Sequence, residues 1–212
     1  MLNRSAGFRN WVAEITHSTR YGIVKVISPT LYKRNKDDIE GTNARSTIRF
    51  VRDIMGNNRL VGAEIGVAAG INAESILKSL NMKRLYLVDP YESYLEDSVA
   101  VPSHLRFFGD AQERLKRFEN EVQFLRLTSA EAARLIPEHL DFVYIDGNHD
   151  YEYVKQDIAN YYPKVKEKGV IGGHDFCKDY LGVIRAVTEF AVSSSLLLMV
   201  HNDDWWVQKG LI

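Results

Sequence analysis

Short apolar runs alternate with stretches of helical periodicity from residue 59 onward, and this alternation constrains the fold more than any other feature of the chain. Apolar runs rich in Val, Ile, Leu and Tyr are typical of strands buried in a parallel sheet. Parallel strands need crossover connections, and the helical stretches supply them. We therefore predict an α/β fold with a doubly wound, mostly parallel sheet. Strands are expected at 60–67, 84–90, 122–127, 140–146 and 169–175, and crossover helices at 72–80, 112–121 and 150–165.

The two ends of the chain follow other patterns. A helix is expected at 181–192, and two apolar segments, 196–201 and 204–209, flank Asn202 and Asp203 as an antiparallel hairpin. Residues 1–58 are predicted to contain two helices, at about 5–19 and 44–56, around a charged, turn-like stretch. We interpret residues 1–58 as a helical cap or substrate lid on a catalytic domain that spans residues 59–212.

Composition narrows the class of protein. The 212 residues carry 27 Lys and Arg against 28 Asp and Glu, so the formal net charge is −1, which disfavours sequence-independent binding to nucleic acid. Cys177 has no second thiol with which to form a disulfide, and a reducing, cytoplasmic location is expected. The most apolar tract, 196–200, is too short to cross a bilayer, so no membrane partner is expected. A homodimer is expected only as the commonest oligomer.

A glycine-rich turn joins the first predicted strand to its helix. Gly66 and Gly70 allow a tight turn and a close approach of the backbone to a ligand, and the amides at the helix start would receive polar or anionic groups. Asp89 ends the next strand, where an acidic side chain can accept hydrogen bonds from both ribose hydroxyls. A turn without cofactor, and a surface Asp before Pro90, are the structural alternatives. The combination favours an adenosine cofactor.

Glu64 indicates which cofactor this is. Its carboxylate lies two residues before Gly66, where it would repel a pyrophosphate but attract an ammonium or sulfonium group. The turn also lacks the three-glycine pattern of dinucleotide-binding proteins. A cationic cofactor is therefore expected.

Glu64, Gly66 and Gly70 together resemble the first motif of class I S-adenosylmethionine-dependent methyltransferases, and the resemblance covers roughly residues 59–212. It implies a Rossmann-like, seven-stranded sheet that ends in an antiparallel hairpin, with Asp89 on the ribose. It also implies that Ser129 and Ala130 approach the adenine. For Ser129, a role as helix N-cap is an equal alternative.

Two aspartates end neighbouring strands of the predicted sheet. Asp146 follows the fourth strand and Asp175 the fifth, so their carboxylates meet at one edge and repel each other unless a cation bridges them. Oxygen ligands of this kind point to magnesium. His149 has an ordinary pKa near neutrality and is the candidate general base. His174 is the candidate third metal ligand. Each histidine could also be a hydrogen-bonded residue at a strand end.

The segments IDGNHDY (145–151) and GHDF (173–176) resemble the branch that contains macrocin-type sugar O-methyltransferases and cephalosporin hydroxylase-like proteins. The resemblance implies magnesium on Asp146 and Asp175 and His149 as the base. His174 stands where the related metal-dependent enzymes carry an acidic residue.

These residues predict an S-adenosylmethionine-dependent O-methyltransferase that acts on a small hydroxylated molecule, such as a sugar or a glycosylated natural product. Magnesium would orient substrate oxygens, and His149 would accept the hydroxyl proton. The alternatives are a nucleotide-dependent oxidoreductase and a non-catalytic S-adenosylmethionine-binding protein.

Overall fold

The computed structural model describes residues 13–19, 22–28, 44–96, 99–101 and 105–211. Within these ranges the strands are β1 (Ala13–Thr19), β2 (Gly22–Ser28), β3 (Leu60–Ile65), β4 (Met82–Val88), β5 (Tyr94–Glu96), β6 (Val99–Val101), β7 (Val122–Leu125), β8 (Leu140–Ile145), β9 (Val165–Gly173), β10 (Leu198–His201) and β11 (Asp204–Gln208). The helices are α1 (Ser46–Met55), α2 (Ile71–Ser79), α3 (Leu105–Leu115), α4 (Ser129–Leu135), α5 (Tyr151–Tyr161) and α6 (Leu181–Ser193).

The main sheet has the strand order β1-β2-β10-β11-β9-β8-β3-β4-β7. Neighbours from β9 to β7 are parallel, whereas β11 runs antiparallel to both of its neighbours. The seven strands from β10 to β7 confirm the predicted α/β, doubly wound sheet with its terminal antiparallel hairpin. The hairpin turns at Asn202 and Asp203, whose positive φ angles of 50° and 63° suit a tight two-residue turn.

The N-terminal region differs from the prediction. Ala13–Thr19, expected within a helix at about 5–19, forms strand β1, and β1 pairs antiparallel with β2. β2 in turn pairs in parallel with β10, so two strands extend the predicted sheet. The physical reason is the high content of β-branched residues in both segments, which favours strands over helices. Residues 5–12 lie outside the described part of the chain. The second predicted helix is confirmed as α1.

Helices cover both faces of the sheet. Val143 and Ile145 of β8 belong to a core formed with residues of α4, α5 and α6. Phe142 and Tyr144, which alternate with them, belong to a second core formed with residues of α1 and α2. The carboxyl ends of β3, β4, β7, β8 and β9 therefore open onto one edge, where ligands bind in sheets of this kind.

No helix in the described ranges is both long and apolar enough to pass through a membrane.

Candidate active site

A cavity of about 1130 Å³ opens at the carboxyl ends of the parallel strands. This exceeds the roughly 300–1,000 Å³ of a typical ligand site, and so leaves room for a cofactor and an acceptor together. The cavity wall contains nearly every residue singled out from the sequence: Glu64, Gly66, Asp89, Ser129, Ala130, Asp146, His149, His174 and Asp175. Gly70 does not line it.

The two glycines of the turn serve the protein's own packing. Gly66 has φ of +85°, and a Cβ atom there would lie 2.0 Å from the carbonyl oxygen of Asp146. Glycine is therefore required here by the close approach of the backbone after β8. Gly70 has φ of +73°, and a Cβ there would lie 3.2 Å from the Cβ of Ala111 in α3. Gly66 also lines the cavity, and the predicted ligand contact of the two glycines stays a prediction.

Asp89 holds the glycine turn in place. Its Oδ2 accepts hydrogen bonds from the backbone N–H groups of Val67 (3.0 Å) and Ala68 (2.9 Å), and its Oδ1 accepts one from the N–H of Tyr91 (2.8 Å). The side chain is nearly buried but borders the cavity. Its predicted contact with ribose stays a prediction, and the structure adds a backbone role that the sequence did not indicate.

Glu64 brings a buried carboxyl group to the cavity wall. It is only 1% exposed, and Oε1 accepts a hydrogen bond of 2.9 Å from the Nδ2 of Asn72. Oε2 is buried and has no hydrogen-bond partner among the described residues. Burial raises the pKa of Glu64 to about 8, against the lowering effect of Asn72. A buried carboxyl oxygen without a partner fits a ligand that carries positive charge, as S-adenosylmethionine does.

Ser129 is held by α5 and is not the helix cap. The N-cap of α4 is Thr128, whose side chain accepts from the N–H of Glu131 while the Glu131 carboxylate accepts from the N–H of Thr128. The Ser129 hydroxyl instead donates to Oδ1 of Asp157, and the Tyr161 hydroxyl donates to the Ser129 carbonyl at 2.9 Å. The N-cap alternative for Ser129 is therefore wrong by one residue.

Asp146, His149 and Asp175 form the candidate metal centre. One ligand atom from each lies within 4.8 Å of the others. Two carboxylates and an imidazole are a donor set that fits a divalent cation. His174 lies beside this group: its Nδ1 is 2.9 Å from Oδ1 of Asp175 and 4.0 Å from Oδ1 of Asp146. The structure thus brings together the residues predicted from the sequence. His149, predicted as the base, lies in the same cluster as the two predicted metal ligands.

Hydrogen bonds set the protonation of this cluster. Nε2 of His149 lies 2.8 Å from Oδ2 of Asp175, and Nδ1 lies 2.6 Å from Oε1 of Glu96. Burial alone would lower the pKa of His149, but these two carboxylates raise it above its ordinary value. Burial would raise the pKa of Asp175, but the bonds from His149 and His174 hold it well below its usual range. The carboxylates thus favour the protonated form of His149, and the histidines favour the ionised form of Asp175.

Arg45 and Glu96 belong to the site, and sequence reasoning missed both. The guanidinium of Arg45, just before α1, lies 3.4 Å from Oδ2 of Asp146 and 3.9 Å from Oδ1 of the buried Asp204. Burial raises the pKa of Asp146 to about 6, and Arg45 opposes that rise. Glu96 reaches His149 from the small β5–β6 hairpin. No local pattern marks either residue, because each meets the site only through the fold.

The strand order and the cavity at the carboxyl ends of the parallel strands define a Rossmann-like α/β protein, and the buried Oε2 of Glu64 fits a cationic ligand there. A protein-family model described as "Methyltransferase domain" matches residues 63–176, more than half of the chain. The chain therefore belongs to this family of methyltransferase domains, and its activity is methyl transfer from S-adenosylmethionine.

Solved structures share the fold. The O-methyltransferase NovP has a TM-score of 0.57 at 20% identity, over 77% of each chain. An rRNA methylase from Streptococcus thermophilus has a TM-score of 0.58 at 12% identity, over 86% of this chain and 99% of its own. The Streptococcus mutans protein SMU.1697c, solved in complex with SAH, has a TM-score of 0.58 at 10% identity, over 78% and 98%. At these identities the likeness concerns the fold. A search of curated protein sequences finds no match to this chain.

Proposed function

We propose that the protein is a metal-assisted O-methyltransferase for a hydroxyl group on a small molecule such as a sugar or a glycosylated natural product. The observation that carries this proposal is the cluster of Asp146, His149 and Asp175 in the wall of the same cavity as Glu64. A base and a pair of carboxylates thereby face the space that remains for an acceptor. A net charge of −1 favours a small molecule over RNA.

The cofactor would lie against Glu64 and Asp89, where S-adenosylmethionine supplies an electrophilic methyl group. Glu64 would bind the positive charge of the cofactor through its unpartnered Oε2. Asp89 would contact ribose while it fixes the amides of Val67 and Ala68. Ser129 and Ala130 would border the adenine. Holding the two reactants in one cavity supplies the proximity on which methyl transfer depends.

His149 would accept the proton of the acceptor hydroxyl at Nε2. Glu96 accepts a hydrogen bond from Nδ1, so in the neutral ring Nδ1 would keep its proton and Nε2, which donates to Asp175 when it is protonated, would be the nitrogen that takes up the proton. Asp175, 2.8 Å from Nε2, then stabilises the imidazolium that proton transfer produces. Asp146 and Asp175 would hold the divalent cation, which lowers the pKa of a bound hydroxyl. His174 would support Asp175 as a hydrogen-bond donor or complete the ligand set.

The test is methyl transfer from S-adenosylmethionine to a panel of hydroxylated small molecules, followed by mass spectrometry, with and without EDTA. We expect a methyl ether product whose formation needs added magnesium. Asp146→Asn and Asp175→Asn should abolish that dependence together with activity, whereas Asp110→Asn, an exposed residue of α3, should not. Full activity in EDTA would contradict the metal role. Methylation of nitrogen or of rRNA alone would contradict the proposed acceptor. A cytoplasmic location and a homodimer stay predictions.

A further inference from the structure

Asp157 is a buried carboxyl group in the cavity wall that the proposed chemistry does not use. It projects from α5, is 6% exposed and borders the cavity together with Ser129. No ion pair to Asp157 is present in the described part of the chain. Burial raises the pKa of Asp157 to about 6, and the bond from Ser129 opposes that rise. Because burying a carboxylate without a cation is costly, a purely structural contact between two helices is a poor reason for it.

The Asp157 carboxylate determines whether the Ser129 hydroxyl can donate or accept a hydrogen bond with a ligand. An ionised carboxylate can only accept hydrogen bonds, so the single proton of the Ser129 hydroxyl is committed to Asp157. The Ser129 oxygen then presents only lone pairs to the cavity. Thr128 already caps the helix, so the Ser129 hydroxyl has no competing role at the start of α4. Tyr161 also contacts Ser129, but its hydroxyl donates to the backbone carbonyl at 2.9 Å and does not contact the Ser129 hydroxyl.

We propose that Asp157 is a positioning residue that makes Ser129 an obligate hydrogen-bond acceptor, and that this acceptor selects a cofactor base with an exocyclic amino group. Adenine offers an N–H donor at position 6, whereas hypoxanthine offers a carbonyl oxygen there. A carbonyl facing the Ser129 oxygen would place two acceptors together without a proton between them. This inference rests on the proposed placement of the adenine beside Ser129 and Ala130.

The test compares the affinities of SAH and S-inosylhomocysteine by titration calorimetry. The second compound differs from SAH only in the carbonyl that replaces the 6-amino group and in the N1 proton that accompanies it. The wild-type protein should bind SAH at least about tenfold more tightly than S-inosylhomocysteine. This is the usual difference in affinity between a ligand that makes a buried hydrogen bond and one that leaves it unmade. Asp157→Asn keeps the size of the side chain but can donate to Ser129, so this ratio should fall to about threefold or less.

Tyr161→Phe is the matched control, because it removes the other hydrogen bond that α5 makes to Ser129. It should leave the ratio of affinities unchanged even if it lowers the melting temperature. Ser129→Ala should lose discrimination as Asp157→Asn does, and Asp157→Asn in the Ser129→Ala background should cause no further loss. Ser129→Ala keeps the test decisive if Asp157→Asn does not fold.

Three results would overturn the inference: equal binding of both nucleosides by the wild-type protein, full discrimination by folded Asp157→Asn, or an undiminished effect of Asp157→Asn in the Ser129→Ala background. The last would mean that Asp157 does not act through Ser129. Failure of the wild-type protein to bind SAH at all would instead contradict the cofactor site on which the inference rests.

Discussion

A single oxygen atom of Glu96 accepts two hydrogen bonds from His149, one from the backbone N–H at 2.8 Å and one from Nδ1 at 2.6 Å. The loop after β8 and the ring it carries are therefore fixed by one carboxylate from the β5–β6 hairpin. Tyr180 packs against the other side, with ring centroids 4.1 Å apart. Orientation of His149 thus depends on residues far from it in the chain.

Glu96→Gln should lower methyl-transfer turnover by about 10–100-fold, the usual effect of removing a carboxylate behind a functional histidine. The amide oxygen of glutamine can still accept both hydrogen bonds, but it lacks the charge that supports the imidazolium. SAH affinity, measured by calorimetry, should stay unchanged because Glu64 and Asp89 are untouched. Glu113→Gln, at an exposed position of α3, is the control. Wild-type turnover in folded Glu96→Gln would show that the hairpin does not position the base.

Asp89→Ala should weaken both the fold and the cofactor site. Three backbone N–H groups lose their acceptor, which we expect to cost about 1–3 kcal/mol in the free energy of unfolding. SAH affinity should fall as well, since the Val67–Ala68 turn borders the cavity. Chemical denaturation and calorimetry measure the two effects. A loss of affinity with unchanged stability would leave only the ribose contact and refute the backbone role.

Gly66→Ala should destabilise the protein by at least about 2 kcal/mol, because the new methyl group collides with the Asp146 carbonyl and the φ angle is positive. Gly109→Ala is the comparison: a Cβ there meets nothing within 4 Å, and helix α3 should gain about 0.5–1 kcal/mol. Thermal unfolding of both variants without cofactor tests this directly. Equal stability of the two proteins would be incompatible with the packing of the turn against β8.

Binding of S-adenosylmethionine should release a proton from Glu64. The pKa of Glu64 is about 8 in the folded protein, against an ordinary value of 4.5, so up to about pH 8 the free protein holds a proton that a cationic ligand expels. Affinity should therefore rise with pH up to about 8 and then level off. Calorimetry in buffers of different ionisation enthalpy counts the proton.

Glu64→Gln is the control for that experiment, because it keeps the shape of the side chain and cannot ionise. It should bind without the proton release that Glu64 supplies, and the pH dependence should flatten. The unliganded wild-type protein should also lose stability relative to Glu64→Gln as pH rises from about 4.5 to about 8, because over this range the folded state still holds a proton that the unfolded state has released. If both proteins released the same number of protons on binding, the protons would come from a group other than Glu64.

The sheet and the site residues that directly follow its strands could be predicted from sequence, because the patterns that mark them lie within short segments of the chain. A strand buried on both faces, such as β8, is a continuous run of mostly apolar residues in the sequence. Asp146 and Asp175 directly follow such runs. Parallel pairing of β8 with β9 then brings these ends together without further information. The glycine turn was located for the same reason, although its packing against Asp146 required the fold.

Contacts between distant segments could not be predicted in this way. Arg45 and Glu96 reach Asp146 and His149 across long stretches of chain, and neither stands in a distinctive pattern. Ser129 and Thr128 are neighbours of similar chemistry, so only geometry shows that Thr128 caps the helix. The strand β1 was mistaken for a helix because its pairing with β2, a tertiary contact, outweighs a short and ambiguous pattern.

The parallel pairing of β2 with β10 joins Val26 to Leu198. During synthesis the β1–β2 hairpin is made before β10, the strand that it joins. Until β10 is available, one edge of the hairpin exposes unpaired backbone N–H and C=O groups. Exposed strand edges of this kind promote aggregation of incompletely folded chains. The hairpin can therefore dock only after β10 has been made, and protection of the hairpin amides against hydrogen exchange would report that docking.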